Sequence, residues 1–302
     1  MIITEITAGL GNQLFQYANA KKIATVKKQI LKLDLSFFER YYTSSDLQNT
    51  HVAHKLDKFN TNIIIACDNE IKRIKRKTIK PDILRRIFNK LGMSGYVNTK
   101  CHFDNERIDS CELETLKNYN NLYISGYFGD QKYFIEIEDI IRQEFTLKEH
   151  LNSTNEKVLS QIKNSNSVSI HFRRGDYLNN PFFAKISLDY YRTAIDFIEK
   201  FFPNLFYFIF SDDLNWVKDN FKFNASIYYV DVNDEKADYI DLMLMSSCKH
   251  NIIANSTFSW WGAWLNNNPD KMVIAPKQWF NDPAAQKKYE NGSLVPDKWR
   301  KI

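Results

Sequence analysis

The chain has 302 residues, enough for one large domain or two ordinary ones, and its 44% hydrophobic and 25% charged residues are the proportions of a globular protein. A net charge of +5 fits an anionic ligand or surface but is too weak to demand nucleic acid, which is not an expected partner. Cys67, Cys101, Cys111 and Cys248 show no CxxC spacing and no close His pairs accompany them, so they read as reduced thiols rather than metal ligands or a disulfide framework.

Met1 to Ile6 predicts a strand, Gly9 to Gln13 a turn, Gln13 to Lys27 a helix and Gln29 to Leu33 a second strand, together one βαβ unit. The first residues lack a basic region followed by an apolar one, so no signal peptide is expected. Nowhere do about 18 apolar residues run uninterrupted, so the expectation is a cytoplasmic protein with no membrane span. Ser36 to Asn121 yields no element order, with one exception. Ile71 to Lys90 holds nine Lys or Arg against Asp82, and Ile83, Leu84, Ile87, Phe88 and Leu91 recur at helical spacing, which predicts an amphipathic helix with a basic face after Pro81. Two readings of it stay open: a solvated surface helix, or a peripheral docking surface for the anionic inner face of a membrane.

Leu122 to Ser125 predicts a strand and Gln131 to Glu144 a helix. Lys148 to Asn166 is polar and rich in Asn and Ser, which places a domain boundary there and divides the chain into residues 1–150 and 151–302. The second part alternates strictly. Strands are expected at Ser167 to Phe172, Leu205 to Phe210, Ser226 to Val230, His250 to Ala254 and Lys271 to Ala275. Helices are expected at Ser187 to Phe202, Leu214 to Phe221, Ala237 to Ser247 and Phe258 to Asn266. Such alternation argues for a parallel sheet covered on both faces, and the whole chain for an α/β fold of two Rossmann-like domains facing a cleft.

Four polar groups fall at strand ends, where sheets of this class hold ligands. Gly9, Gly11, Asn12 and Gln13 follow the first strand, where glycines permit φ > 0 and a helix N-terminus offers N–H groups to an anion. His171-Phe172-Arg173-Arg174-Gly175-Asp176-Tyr177 ends the first strand of the second part. A planar guanidinium there suits phosphate oxygens, which favours function for Arg173, whereas Arg174 with Asp176 reads as a structural ion pair. Asp212 and Asp213 are adjacent in an extended segment and point opposite ways, so they form no ready chelate. Asp213 reads as a helix N-cap and Asp212 as an acceptor for a base or ribose. Asn255, Ser256, Thr257 and Ser259 crowd one strand end and helix start, more polar side chains than a single cap needs. Trp260, Trp261 and Trp264, at helical spacing, read as core.

Taken together, GLGNQLFQYA, HFRRGDY, FSDDLNWV and CKHNIIANSTFSWWGAWLNNNPDKMVIAPKQWF resemble the bacterial α-1,2-fucosyltransferases of glycosyltransferase family 11, colinearly and at both ends of the chain. The resemblance implies a GT-B fold, a GDP-fucose donor, inversion at the anomeric carbon and no cofactor or required metal. It implies donor contacts from His171, Asp212, Asn255, Ser256 and Thr257 and a phosphate contact from Arg173, and Gly9, Gly11, Asn12, Gln13 and Ser259 join the candidate donor site by their own positions at strand ends. Arg173 and Asp176 are the catalytic candidates, Asp176 as the acid nearest the acceptor. On this reading residues 1–150 face a glycan acceptor, lipid-linked if the basic segment docks on a membrane, and residues 151–302 hold the GDP-sugar. The alternatives are another GDP-sugar, another fucosyl linkage, or a non-catalytic glycan- or nucleotide-binding module. The aromatic share, 15% with 22 Phe and 16 Tyr, reads mainly as core, with stacking on sugar faces open to a few.

Overall fold

The computed structural model describes residues 1–42, 53–75, 100–103, 120–178, 180–292 and 294–302. The chain divides into two compact units: Met1–Asp57, Thr61–Phe128 and Tyr133–Glu144 form the first, and Lys58–Asn60, Gly129–Lys132 and Phe145–Ile302 the second.

The first unit contains β1 (Ile2–Glu5), α1 (Leu10–Lys27), β2 (Leu31–Asp34), α2 (Ser36–Tyr42), α3 (Asp68–Lys75), β3 (Lys100–Phe103), β4 (Asn121–Ile124) and α4 (Glu138–Glu144). Its strands pair in the order β2-β1-β4-β3, all parallel. Both faces of this sheet are covered, as parallel sheets require. Ile2, Leu122 and Ile124 pack with Ala20, Ile23 and Ala24 of α1, while Ile3 and Tyr123 pack with Ile71 and Ile74 of α3.

Three sequence expectations are corrected here. The helix after the glycine motif begins at Leu10 rather than Gln13, because Leu10 is buried and the helix carries it into the core. The left-handed residue of the turn is Ala8, with φ 60°, whereas Gly9 is extended at φ −71°. The single helix expected over Gln131 to Glu144 is two 3-10 turns followed by α4. Phe134, buried between the turns at φ −142°, interrupts the helical path. In the basic segment, Lys72 pairs with Asp68 at 3.3 Å, and Lys75 reaches Asp34 at 3.3 Å. The helix expected after Pro81 lies outside the described residues.

The second unit contains α5 (Ser153–Lys163), β5 (Asn166–Phe172), α6 (Leu188–Ile198), β6 (Leu205–Ser211), α7 (Leu214–Asn220), β7 (Ser226–Tyr229), α8 (Asp238–Ser247), β8 (His250–Ile252), α9 (Thr257–Leu265), β9 (Val273–Ala275), α10 (Pro283–Asn291) and β10 (Arg300–Lys301). All six strands are parallel, in the order β7-β6-β5-β8-β9-β10. Numbered within the sheet this is 3-2-1-4-5-6, the dinucleotide-fold order, which reverses between β5 and β8. β5 and the apolar run of β6 supply Val168, Ile170, Tyr207 and Ile209 to a core closed by Tyr191, Ala194, Ile195 and Ile198 of α6.

The helix starts are built from local side chains. Ser187 accepts from Tyr190 N–H, Asp213 from Trp216 N–H, and Asp282 from Ala285 N–H ahead of Pro283. Trp260, Trp261 and Trp264 are buried, as their spacing predicts. The polar stretch Lys148 to Asn166, expected to hold the domain boundary, carries α5, capped by Asn152 and seated through Val158 and Ile162. Among the described residues no helix is long and apolar enough to cross a membrane.

Candidate functional site

In a sheet of this order the crevice lies outside the carboxyl ends of the strands flanking the reversal, here β5 and β8. Three of the four motifs converge there or on the next strand, β6. β5 delivers His171 into the protein, 4% exposed, with its ring 5.5 Å from that of Phe258. Burial, with the Arg173 charge adding to it, pushes its pKa down to about 3, so the imidazole is neutral. Its Nδ1 has no hydrogen-bond partner among the described residues.

Arg173 follows at the strand end, its side chain 17% exposed and its Nη1 3.0 Å from Asp212 Oδ2. The other Asp212 oxygen accepts from the backbone N–H of Arg174 at 2.9 Å. Asp212 therefore ties the end of β6 to the turn after β5 and orients the guanidinium. Gly175 belongs to the same device, since a Cβ there would lie 2.7 Å from Asp212 Oδ2. Arg174 Nε lies 3.4 Å from Asp213 Oδ2, and its guanidinium carbon lies 3.2 Å from the centre of the Trp216 ring. Arg174 is thus structural as expected, but its acid partner is Asp213, which adjoins it across the strand ends, rather than the expected Asp176. Asp213 also caps α7, as its position predicts.

On the neighbouring strand end, Ser256 caps α9 by accepting from Phe258 N–H at 3.3 Å, and Thr257 opens the helix. The register Ile170↔Ile252 brings this turn beside that of Arg173. Asn255 is 1% exposed, and its Nδ2 donates to Ala184 O at 2.8 Å and Trp279 O at 2.9 Å. Ser259 Oγ donates back to Ser256 O at 3.2 Å. Asn255 and Ser259 therefore shape the turn, while Ser256 and Thr257 form its rim. Asp176 lies in the 3-10 turn Gly175–Leu178 that follows Arg174.

The glycine motif belongs to the first unit. Gln13 donates to Ala8 O and Ala53 O, both at 2.8 Å, and accepts from Lys55 N–H at 3.1 Å. Gln16 exchanges two 2.9 Å hydrogen bonds with Thr7. These amides build the turn after β1. Asn12 is half-buried and makes no side-chain hydrogen bond among the described residues, and it stands at the start of α1 beside Gly9 and Gly11. Sequence reasoning missed the ring cluster after Asp176, in which Tyr177 stacks on Phe183 at 4.1 Å. Its signal was three aromatics within Tyr177 to Phe183, a segment with neither helical nor strand periodicity.

The sequence profile of Glycosyl transferase family 11 matches residues 1–299. The O-antigen biosynthesis glycosyltransferase WbnK of Escherichia coli is 34% identical over 295 residues, covering 91% of this chain and 93% of its own. An α-1,2-colitosyltransferase of Escherichia coli is 31% identical over 311 residues, covering 100% of this chain and 99% of its own. The structure of the α-1,6-fucosyltransferase NodZ soaked with GDP-fucose is similar in fold, with a TM-score of 0.52 at 15% identity over 87% of this chain and 91% of that one. With its two parallel α/β sheets the fold is of the GT-B class. A family profile spanning nearly every residue, and full-length relatives above 30% identity, show that the chain belongs to glycosyltransferase family 11.

Proposed function

We propose that this enzyme transfers L-fucose from GDP-β-L-fucose to the 2-hydroxyl of a galactoside, with inversion and without a metal. The observation that carries the reading is Arg173, held by Asp212 at 3.0 Å on the strand end where the sheet order reverses. In the reaction the acceptor oxygen bonds to C1 of the sugar as the bond from C1 to the phosphate oxygen breaks, and GDP leaves with that electron pair. Negative charge grows on the β-phosphate, and Arg173 with the start of α9 at Ser256 and Thr257 offsets it, a role in which one donor contributes about 3–4 kcal/mol. Neutral His171 serves the nucleotide side, and Asp176 takes the acceptor proton. Asp212 and Asp213 are engaged by the two arginines, which supports charge neutralisation by guanidinium rather than by a metal ion.

The test is NMR and mass spectrometry of products from a galactoside panel with GDP-fucose, in excess EDTA. An α-1,2-fucosyl product is the expected result. Activity that disappears in EDTA and returns with Mn²⁺ or Mg²⁺ would sink the metal-free part. A second donor has a specific observation in its favour, the full-length similarity to a colitosyltransferase. Colitose is fucose without its 3-hydroxyl, so the same arginine and helix start serve either sugar. Competition between GDP-fucose and GDP-colitose separates them. The acceptor is proposed to be lipid-linked, with residues 71–90 resting on an anionic membrane. Co-sedimentation with anionic but not neutral liposomes, lost at moderate salt, is the expected outcome, and equal negligible binding to both removes this part of the proposal.

A further inference from the structure

Past Arg173 the chain forms a band of rings. The Arg173 guanidinium carbon lies 5.2 Å from the Tyr177 ring centre, and Tyr177 stacks on Phe183 at 4.1 Å with only 8° between planes. Phe182 stands edge-on to Phe183 at 5.2 Å and lies 5.1 Å from Phe280. Tyr177 and Phe183 cover one another, whereas Phe182 is 44% exposed.

A single exposed phenyl needs no explanation by itself. This one is held in place with unusual thoroughness. Phe182 N–H donates to Asn180 Oδ1 at 3.0 Å, and Phe182 O accepts from Asn281 N–H at 2.9 Å. The Asn281 side-chain amide donates to Pro181 O at 3.1 Å and Phe183 O at 2.8 Å. Buried Asn255 clamps the next residue by donating to Ala184 O. Every residue from Pro181 to Ala184 is thus pinned through its main chain, and the free face of Phe182 is presented rigidly. Rigid aromatic side chains bind with little loss of conformational entropy.

The sheet order fixes which part of the substrates this surface meets. In a 3-2-1-4-5-6 sheet the nucleoside lies on the side of the second strand, here β6. The ring band lies on the opposite side of the reversal, tied to the segment after β9 by the Phe183↔Phe280 bridge. It therefore borders the sugar end of the donor, and Phe182 lies beyond Tyr177 and Phe183 from the phosphate-binding arginine.

We infer that Phe182, backed by Phe183 and Phe280, is the platform on which the acceptor pyranose stacks. A galactoside presents one face of C–H groups at C3, C4 and C5, which suits a flat apolar ring and leaves its hydroxyls in water. The inference rests on the galactoside-transfer reading. Its test is saturation-transfer NMR of a β-galactoside disaccharide with wild type and Phe182→Ala in the presence of GDP, beside acceptor KM and calorimetric GDP binding. Phe182→Ala should weaken galactoside binding and raise acceptor KM by about tenfold. GDP affinity and melting temperature should be unchanged, and Phe182→Trp should restore acceptor binding. Unaltered galactoside binding in Phe182→Ala overturns the platform, and so does a loss of GDP affinity, which would assign the ring to the base. Failure of the transfer reading shows separately, as a wild type that binds the disaccharide and forms no fucosylated product.

Discussion

His171 stands two positions before Arg173, and its burial has a consequence in acid. The folded side chain titrates near 3, against an ordinary value of 6.5. Between those values the unfolded chain binds the proton and the folded chain does not, so this contribution to stability is complete above about pH 6.5 and is lost as pH falls toward 3. Asp241, raised to about 7 by burial, acts in the opposite sense between its ordinary value of 3.8 and 7. The diagnostic quantity is therefore the difference between wild type and His171→Gln in urea unfolding, which should shrink as pH is lowered from 7 to 4. A constant difference would show that His171 titrates normally. At Arg173 the expectation is catalytic. Arg173→Ala should lower turnover by about a hundredfold or more without unfolding the protein, and Arg173→Lys should recover little, since the planar fork is lost. Gly175→Ala tests the support behind it. Its Cβ must displace a carboxylate 2.7 Å away that holds both Arg173 and the Arg174 amide. Turnover should fall tenfold or more (roughly the lower range for one misplaced stabiliser) while the melting temperature barely moves.

The starts of α7 and α9 separate what a local sequence pattern reveals from what it hides. Asp213 was legible as a cap because its partner, Trp216, is three residues away. Asn255 read as a donor ligand, but its amide engages carbonyls 71 and 24 residues distant, and no local pattern encodes such partners. The same division runs through the elements. β6 was visible as an unbroken apolar run because it is buried on both faces. α5 was hidden, because three buried positions in eleven leave a narrow stripe in a polar sequence. Asn255→Ala decides between the two roles. Removing a buried double donor should cost about 1–3 kcal/mol in urea unfolding and leave the GDP dissociation constant within about threefold. A variant of normal stability with strongly weakened GDP binding would return Asn255 to the donor site.

Strand order is where sequence reading stopped for the molecule as a whole. Alternation predicts parallel strands, but the reversal between β5 and β8 brings together residues 82 apart, as in the Asn251 to Ser169 hydrogen bond. That reversal gathers His171, Arg173, Asp212, Ser256 and Thr257 within the second unit. A ligand bound there is linked to the folding of that unit in the first instance. GDP at a hundredfold its dissociation constant stabilises the folded form by about 2.7 kcal/mol. For a unit of this size that corresponds to a rise of about 5–10 °C in its unfolding midpoint. The rise should persist in EDTA and should be much smaller in Arg173→Ala. Limited proteolysis during the melt locates the effect: cuts within residues 145–302 should be delayed by GDP more than cuts within the first unit. Equal protection by GDP in wild type and Arg173→Ala would mean that the nucleotide phosphates sit elsewhere, and the strand-end reading of the site would have to be abandoned.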